Sequence, residues 1–372
     1  MGNRNCPEDR WRLFTLEKEE MAFLSIPNVK IVGIAAAVPK EKKIVSELEC
    51  FADQAEAERT IAQTGIVESR LAPEGMVCSD YCYEAAKQLI EKLGWEKESI
   101  DALIYLSVSR DYIEPNTATV IQGRLDLPKS CYTIDVPMAC SGYCIGLSVI
   151  GSLLTLGCMK RALMLVGDTP SKIMSPLDKT LWPIHGDAGT ATALEYDPEA
   201  KPMLFNVMSD GKQKDAIIAY ASGVRKPVTE EDLKMVKEDE GIIRNNTHVK
   251  MDGMGVFSFT MSLVPKCIKA MMENFGIEAE ETDYLLLHQA NKYIDEKIRK
   301  KLKFTEEQTP YCLEEFGNTS SGTIPMTMVT RIADQLRNGH HNMVMSGFGA
   351  GLSLAAVYVE TDSIEVLPLI EI

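Results

Sequence analysis

Three segments of the chain recur in the same order about 180 residues later, and this internal repeat is the strongest constraint on the fold. ALIYLS at 102–107 resembles YLLLH at 284–288, CYTIDVPMACSGY at 131–143 resembles YCLEEFGNTSSGT at 311–323, and ALMLVGD at 162–168 resembles MVMSGFG at 343–349. Chance similarity among short apolar segments could explain any one of these pairs. Because all three pairs share nearly the same spacing, a duplicated α/β unit is the better interpretation.

The apolar segments predict buried strands that alternate with helices. KIVGIAAA at 30–37 is the first predicted strand, and the runs at 102–107 and 162–166 are continuous apolar strands. Such runs suit a sheet that helices cover on both faces. Residues 79–93 predict a helix, because Tyr83, Ala86, Leu89 and Ile90 recur on one face. The pattern indicates an α/β protein.

The repeat divides the chain into two halves with short segments at both ends. We expect a poorly ordered N-terminal extension over 1–28, in which Met21 is a second candidate start. The N-terminal half then covers 29–205, the C-terminal half covers 206–361, and 362–372 form a tail.

Composition excludes several classes of function. The 372 residues carry 39 Lys and Arg against 54 Asp and Glu, a net charge of −15, and such a surface repels nucleic acid and anionic lipid. No apolar run approaches the roughly 20 residues of a membrane-spanning helix. Ten Cys are too dilute for a disulfide framework, and five His without a Cys cluster make a zinc site improbable. We therefore expect a cytoplasmic protein with no metal, no nucleic-acid partner and no membrane partner.

Cys140 lies where a strand turns into a helix. YTIDV at 132–136 predicts the strand, and the apolar, glycine-punctuated segment 141–156 predicts the helix. The free N–H groups and the dipole of a helix N-terminus stabilise a thiolate, so this position predicts a lowered thiol pKa. A buried structural cysteine is the alternative.

Two further polar residues occupy comparable positions. His288 ends the strand YLLLH, at the edge where α/β sheets bind ligands, and could act as a hydrogen-bond donor or be a satisfied edge residue. Asn318 lies in FGNTSSG, where it could form a turn, but the repeat makes it the counterpart of Cys140. The glycine-rich segment SGFGAG at 346–351 could present a backbone N–H to an oxyanion.

Taken together, DVPMACSGY, HQAN, FGNTSSG and GFGAG resemble the thiolase superfamily, and most closely the β-ketoacyl-acyl carrier protein synthase III family. The resemblance runs from about residue 30 to 360 and includes TGI at 64–66, GD at 186–187 and MDGMGVF at 251–257. It implies a thiolase-like five-layered αβαβα fold from two duplicated halves, in a homodimer.

The resemblance also implies a reaction. Cys140 would take an acyl group from coenzyme A, and malonyl-acyl carrier protein would then lose carbon dioxide and attack the acyl group. His288 and Asn318 would hydrogen-bond the enolate, and the backbone N–H groups of Cys140 and Ala350 would bind the oxyanion. Acyl-CoA and malonyl-acyl carrier protein would be substrates, and no cofactor would be bound permanently.

By the same resemblance, several further residues would contact the substrates. The predicted contacts to coenzyme A and substrate are Gln63, Lys179, Ile184, Gly253, Phe257 and Ala290, and Lys292 is the predicted carrier-protein contact. Because carrier proteins are acidic, docking would need a local basic patch, for which Lys292, Lys297, Arg299 and Lys300 are candidates. Arg59 and Gln63 stand where many family members have a Trp and an Arg, and Ala350 stands where they have a Gly. The sequence therefore does not predict which acyl group is used.

Two other functions remain as alternatives. An acyltransferase on the same fold would pass the acyl group from Cys140 to an oxygen or nitrogen nucleophile. A non-condensing partner subunit would keep the fold without its nucleophile, which the presence of Cys140, His288 and Asn318 disfavours.

Overall fold

The computed structural model describes residues 21–238 and 241–372. Residues 1–20, most of the predicted N-terminal extension, lie outside the described residues.

Strands and helices alternate along most of the chain. The strands are β1 (Ala22–Ile26), β2 (Val29–Val38), β3 (Lys42–Ile44), β4 (Glu68–Arg70), β5 (Ala102–Leu106), β6 (Tyr132–Val136), β7 (Arg161–Asp168), β8 (Ala188–Tyr196), β9 (Met203–Ser209), β10 (Ile217–Ile218), β11 (Val236–Lys237), β12 (Ile243–Arg244), β13 (Lys250–Met251), β14 (Tyr284–Leu287), β15 (His341–Gly349), β16 (Ser353–Thr361), β17 (Glu365–Val366) and β18 (Ile370–Glu371). The helices are α1 (Gln54–Thr64), α2 (Cys78–Leu93), α3 (Thr117–Arg124), α4 (Gly142–Leu154), α5 (Gly253–Phe275), α6 (Lys292–Leu302), α7 (Leu313–Phe316), α8 (Thr323–Arg331) and α9 (Ala333–Arg337).

Two principal sheets share one topology. The first has the strand order β17, β2, β8, β7, β5, β6, with β18 also paired to β2, and the second has the order β1, β9, β16, β15, β14. In both, two antiparallel pairings are followed by a parallel one: β2–β8–β7–β5 corresponds to β9–β16–β15–β14. The predicted correspondence of 102–107 with 284–288, and of 162–168 with 343–349, is therefore confirmed.

The third predicted pair of segments is only partly equivalent. Residues 131–143 contain strand β6, whereas 311–323 form helix α7 and a loop that leads into α8. The second segment reads LEEFGN where the first reads TIDVPM, so charge and glycine replace the apolar alternation that a strand requires. The glycine-rich and polar ends of the two segments still occupy corresponding places.

Side-chain alternation along the central strands explains the layers. In β5, Ile104 and Leu106 face a central cluster with α4, α8 and the second sheet, while Leu103 and Tyr105 face α2. Helices α5 and α6 cover the outer face of the second sheet, against residues such as Leu285 of β14. The order is helix, sheet, helix, sheet, helix, which is the five-layered αβαβα arrangement that the family resemblance implied.

Both ends of the described chain pair with the sheet of the opposite half. Residues 22–26, predicted to be poorly ordered, form β1 and pair with β9 at the edge of the second sheet. The predicted tail forms β17 and β18, which pair with β2 in the first sheet, and it buries Val366 and Leu367. Within the described residues, we find no helix that is both long and apolar enough to cross a bilayer.

Candidate active site

Cys140 lies in the short connection between β6 and α4, two residues before the helix begins. Its Sγ is 3.9 Å from Oγ of Ser320, which belongs to the other half of the chain. The turn is packed tightly: a Cβ on Gly349, at the end of β15, would lie 2.7 Å from Cβ and 3.1 Å from Sγ of Cys140. Glycine at 349 therefore lets the second sheet reach the thiol.

His288 follows directly after β14 and is buried at 2% exposure. Its backbone N–H donates to the carbonyl of Ser346 at 2.7 Å, which continues the pairing with β15. Nδ1 lies 3.1 Å from the carbonyl oxygen of Ser320 and 2.9 Å from Oγ1 of Thr323. Because a carbonyl oxygen only accepts, Nδ1 carries the proton in this arrangement and Nε2 is an acceptor.

Asn318 is held between two backbone segments and is 5% exposed. Its N–H donates to the carbonyl of Ile184 at 2.8 Å, and its own carbonyl accepts from the N–H of Gly186 at 3.1 Å. The side-chain Oδ1 accepts from the N–H of Ser320 at 2.8 Å. This bond fixes the amide orientation, so Nδ2 remains as a donor.

Burial sets the protonation of the two titratable residues. The pKa of Cys140 is raised to about 12, because burial and the charge of Asp168 raise it by more than the hydroxyl of Ser320 lowers it. The sequence predicted a thiolate stabilised by the helix N-terminus, and this prediction is wrong for the empty site because desolvation dominates. Burial, together with nearby His185, lowers the pKa of His288 to about 3. At pH 7 the empty site therefore holds Cys140 as a neutral thiol and His288 as a neutral imidazole.

One cavity of about 1240 Å³ contains the three residues, and its wall is mostly apolar. The lining includes most of the predicted contacts, namely Gln63, Ile184, Gly253, Phe257, Ala290, Lys292 and Ala350. Residues of the segment 217–251 close one side of the cavity. The structure thus brings the predicted triad and these predicted contact residues to one space.

The structure does not place every predicted residue there. Lys179 is not part of the cavity lining, and its ammonium group binds the carboxylate of Glu56 at 2.8 Å. Arg299, predicted for a basic docking patch, is buried and bound to Glu296 at 2.7 Å, which removes it from the surface. Lys300 is an exposed neighbour of the same carboxylate at 3.6 Å. Lys297 lies over the ring of Tyr293.

Four residues of the site were not predicted from the sequence. Ser320 and Thr323 contact His288, Asp168 is fully buried on the cavity wall, and His185 lines the cavity with its Nδ1 donating to the carbonyl of Leu181 at 2.9 Å. The segments VGD at 166–168 and HGD at 185–187 were the available signals, since each places an Asp two residues after an apolar residue or a His. Among the described residues, no group of three potential ligands could hold a metal ion.

Comparisons with protein families identify both halves of the chain. Residues 134–211 match the family described as 3-oxoacyl-[acyl-carrier-protein (ACP)] synthase III, and residues 272–361 match its C-terminal domain. These two segments contain Cys140, His288 and Asn318.

Relatives and solved structures match over nearly the whole chain. A putative 3-oxoacyl-[acyl-carrier-protein] synthase 3 of Campylobacter jejuni is 30% identical over 88% of this chain and 92% of its own. Beta-ketoacyl-[acyl-carrier-protein] synthase III 2 of Halalkalibacterium halodurans is 29% identical over 90% of this chain and 97% of its own. The crystal structure of 3-oxoacyl-(acyl-carrier protein) synthase from Burkholderia xenovorans is 32% identical, covers 95% of this chain and 100% of its own, and has a TM-score of 0.88. The chain belongs to the 3-oxoacyl-[acyl-carrier-protein] synthase III family of the thiolase superfamily.

Proposed function

We propose that this protein is a condensing acyltransferase that loads an acyl group from coenzyme A onto Cys140 and then joins it to malonyl-acyl carrier protein with loss of carbon dioxide. The observation that carries this proposal is the meeting of Cys140, His288 and Asn318, from both halves of the chain, in one cavity. A nucleophile and two side chains that can donate to an enolate are the groups that this reaction requires.

In the loading step, Sγ of Cys140 attacks the thioester carbonyl of acyl-CoA. The thiol proton passes to Nε2 of His288, the carbon–sulfur bond to coenzyme A breaks, and the released thiolate takes a proton from solvent. The developing oxyanion lies on the backbone N–H groups of Cys140 and Ala350. Among the described residues, neither N–H donates to a backbone carbonyl.

In the condensation step, malonyl-acyl carrier protein loses carbon dioxide and forms an enolate. Nδ2 of Asn318 and the protonated Nε2 of His288 donate to its oxygen. The carbanion forms a bond to the acyl carbon, and the bond from that carbon to Sγ of Cys140 breaks. The thiolate then recovers its proton from His288, which returns the enzyme to its starting state.

The bonding of the two donors supports this assignment. Oδ1 of Asn318 is occupied by the N–H of Ser320, which leaves only the donor end of the amide for the substrate. Thr323 Oγ1 can donate to Nδ1 of His288, so the ring has a partner in either protonation pattern. An imidazolium is disfavoured in the empty cavity, and the negative enolate offsets that penalty.

Neither alternative function is favoured. Transfer of the acyl group to an oxygen or nitrogen nucleophile does not need two donors facing an enolate, and the relatives are synthases by name. A non-condensing partner subunit would need no nucleophile. In this chain Cys140 is present, and Gly349 of the second half packs closely against it.

The cavity lining and the sheet edges support the proposed contacts with coenzyme A, the carrier protein and a second subunit. Gln63, Ile184, Gly253, Phe257 and Ala290 line the path for pantetheine and the acyl group, and Lys292 meets the carrier protein at the exposed side. Lys179 reaches coenzyme A only after release from Glu56.

The homodimer forms along β6, an edge of the first sheet with no further partner among the described strands, where Tyr132 is exposed. Tyr112 and Ile113 are exposed in the loop between β5 and α3. A cytoplasmic location stays a prediction from cysteine usage and composition.

The proposal is tested with a panel of acyl-CoAs and malonyl-acyl carrier protein. We expect a β-ketoacyl-carrier product whose mass identifies the accepted acyl group, with release of one carbon dioxide. Acyl transfer to an added alcohol or amine, without release of carbon dioxide from the malonyl group, would support the acyltransferase instead.

A further inference from the structure

Ser320 is the one residue of its loop that contacts all three members of the triad. Its Oγ lies 3.9 Å from Sγ of Cys140, its N–H donates to Oδ1 of Asn318 at 2.8 Å, and its carbonyl accepts from Nδ1 of His288 at 3.1 Å. The backbone of Ser320 thus orders the two donors, while its side chain faces the nucleophile.

The backbone conformation at Ser320 indicates that this side chain is used. Its φ is +54°, in the left-handed region that glycine adopts without strain. A non-glycine residue there costs about 1 kcal/mol. Strained residues of this kind concentrate at functional sites, where the surrounding structure holds them. Glycine would make the same two backbone hydrogen bonds without this strain. The hydroxyl is therefore the feature of Ser320 that glycine would not provide.

Burial raises the pKa of the Asp168 carboxylate, and the nearby hydroxyl of Ser320 lowers it. Asp168 is fully buried at the end of β7, and Oδ1 accepts from the Ser107 hydroxyl at 2.7 Å and from the N–H of Val108 at 2.9 Å. Oδ2 accepts from the hydroxyl of Ser321 at 3.0 Å. The carboxylate therefore keeps several donors if the hydroxyl of Ser320 turns away.

A serine hydroxyl has one hydrogen and can serve only one acceptor at a time. While Cys140 is a thiol, Ser320 can donate to Asp168 and accept from the S–H group. When Cys140 becomes a thiolate, the hydroxyl can turn and donate to sulfur, which is a charge-assisted hydrogen bond.

We propose that Ser320 is a further catalytic residue, whose hydroxyl stabilises the Cys140 thiolate during acyl loading, and that Asp168 is a positioning residue that holds this hydroxyl in the empty site. This inference rests on the proposed function only in taking Cys140 as the nucleophile. It assigns Ser320 and Asp168 opposite effects on the thiolate, because one donates to sulfur and the other is a like charge.

The groups that face this pair are few among the described residues. Asp168 interacts electrostatically with two thiols, Cys140 and Cys78, and Cys78 in turn interacts with Tyr105 and Cys82. Burial holds Cys78, Cys140 and Tyr105 in their protonated forms, since it raises the pKa of each. Burial also raises the pKa of Asp168, while hydrogen bonds from Ser107, Ser321 and the N–H of Val108 lower it. In its ionised form Asp168 is a like charge beside the thiolate of Cys140.

The test is the rate at which iodoacetamide alkylates Cys140, read by peptide mass mapping between about pH 6 and pH 9. We expect Ser320→Ala to slow this rate about tenfold, which corresponds to a rise of one unit in the thiol pKa. We expect Asp168→Asn to increase the rate over the wild type, and to do so more toward pH 9, because the raised pKa of Asp168 leaves its carboxylate more fully ionised there. Unchanged alkylation in Ser320→Ala, or slower alkylation in Asp168→Asn, would overturn the proposal.

Two further variants separate a chemical role from a structural one. Thr319→Val is the matched control, because Thr319 Oγ1 is buried in the same loop without a hydrogen-bond partner among the described residues. It should alkylate at the wild-type rate. Ser320→Gly relieves the left-handed strain and keeps both backbone bonds, so it should be at least as stable as the wild type and still alkylate about as slowly as Ser320→Ala. A wild-type rate in Ser320→Gly contradicts the role of the hydroxyl.

The alkylation assay uses no acyl-CoA and no carrier protein. It can therefore support or refute the role of Ser320 whatever the outcome of the condensation assay, and failure to condense would count against the proposed function alone.

Discussion

At Cys140, two opposing effects act on one thiol. A helix N-terminus stabilises a nearby negative charge by up to about 2 kcal/mol. Burial raises the pKa of this thiol from an ordinary value near 9 to about 12, which corresponds to roughly 4 kcal/mol against the thiolate. Burial is the larger effect, so the empty site holds a neutral thiol. The nucleophile forms only when substrate and neighbouring donors stabilise it.

This balance predicts a simple pH dependence for the wild-type protein. Because the pKa of Cys140 lies near 12, the thiolate fraction should rise about tenfold for each pH unit across neutral pH. Alkylation of Cys140 by iodoacetamide should follow the same slope up to at least pH 9. A plateau reached near pH 7 would contradict it, since a plateau indicates a thiol that is already ionised.

Asn318 allows a test of the enolate donors that leaves the nucleophile in place. Asn318→Asp keeps the acceptor that the N–H of Ser320 uses, but replaces the donor Nδ2 with a negatively charged oxygen. We expect release of carbon dioxide from malonyl-acyl carrier protein to fall about 100-fold or more, as for loss of one oxyanion donor. Acyl loading on Cys140, followed by intact mass, should fall much less. Equal losses in both assays would contradict separate roles.

The contacts of Ser320 could not be predicted from the sequence. The FGNTSSG motif identified Asn318 as a candidate, but nothing in the letters indicates that Ser320 has a positive φ or that its carbonyl faces His288. Both facts depend on how the loop closes against β14 and the turn at Cys140. His185 was missed for a similar reason, because only its pairing with Asn318 brings it beside the site.

Among the elements, central strands were predictable and edge strands were not. β5 and β7 are continuous apolar runs because both faces are covered, so their pattern is strong. β1 is mostly exposed and depends on pairing with β9, about 180 residues away in sequence, so its local pattern is weak. The same reason explains β17 and β18, each of which has two residues.

Helix α6 carries a buried acid, Asp295, whose ionisation destabilises the folded protein. Asp295 is fully buried, and burial together with the charge of Glu296 raises its pKa well above the ordinary value, while the backbone N–H of Ala290 lowers it. An acid whose pKa is raised in the folded state contributes its full stability below the unfolded pKa of about 3.9 and loses it as the pH rises.

Asp295→Asn should therefore gain stability relative to the wild type as the pH increases. We expect little difference in melting temperature near pH 4 and a variant that melts several degrees higher near pH 7. Thermal unfolding by circular dichroism at both pH values measures this. A difference in melting temperature that is the same at both pH values would contradict this prediction, because ionisation of Asp295 would then not destabilise the folded protein.

Across the whole molecule, the repeat was the most informative feature of the sequence. It predicted two sheets with equivalent strands, and it placed Cys140, His288 and Asn318 around one centre, where the structure also has them. It could not predict that each end of the described chain joins the opposite sheet, because β1, β17 and β18 have no counterpart in the repeated segments. Net charge was a weaker guide, since the basic candidates near the cavity are partly bound to Glu296.

The open edge of the first sheet predicts a dimer. Strand β6 has no further partner among the described strands, and its first residue, Tyr132, is exposed, as are Tyr112 and Ile113 in the loop between β5 and α3. An exposed apolar strand edge is a template for pairing with a second copy.

We expect the wild type to have a dimer mass by light scattering after size exclusion, and the double variant Tyr132→Lys with Ile113→Lys to shift toward monomer. Leu156→Lys is the control, because Leu156 is exposed just beyond α4 rather than on β6. A monomeric wild type, or a dimer that both sets of substitutions leave intact, would place the interface elsewhere.

The central claim is that Cys140 carries the acyl group between two substrates. Incubation with acyl-CoA, followed by intact mass and peptide mapping, measures this directly. The account predicts one added acyl group on Cys140 in the wild type, its loss on addition of malonyl-acyl carrier protein, and no adduct in Cys140→Ala. An equal adduct in Cys140→Ala, or an adduct located on another residue, would contradict it.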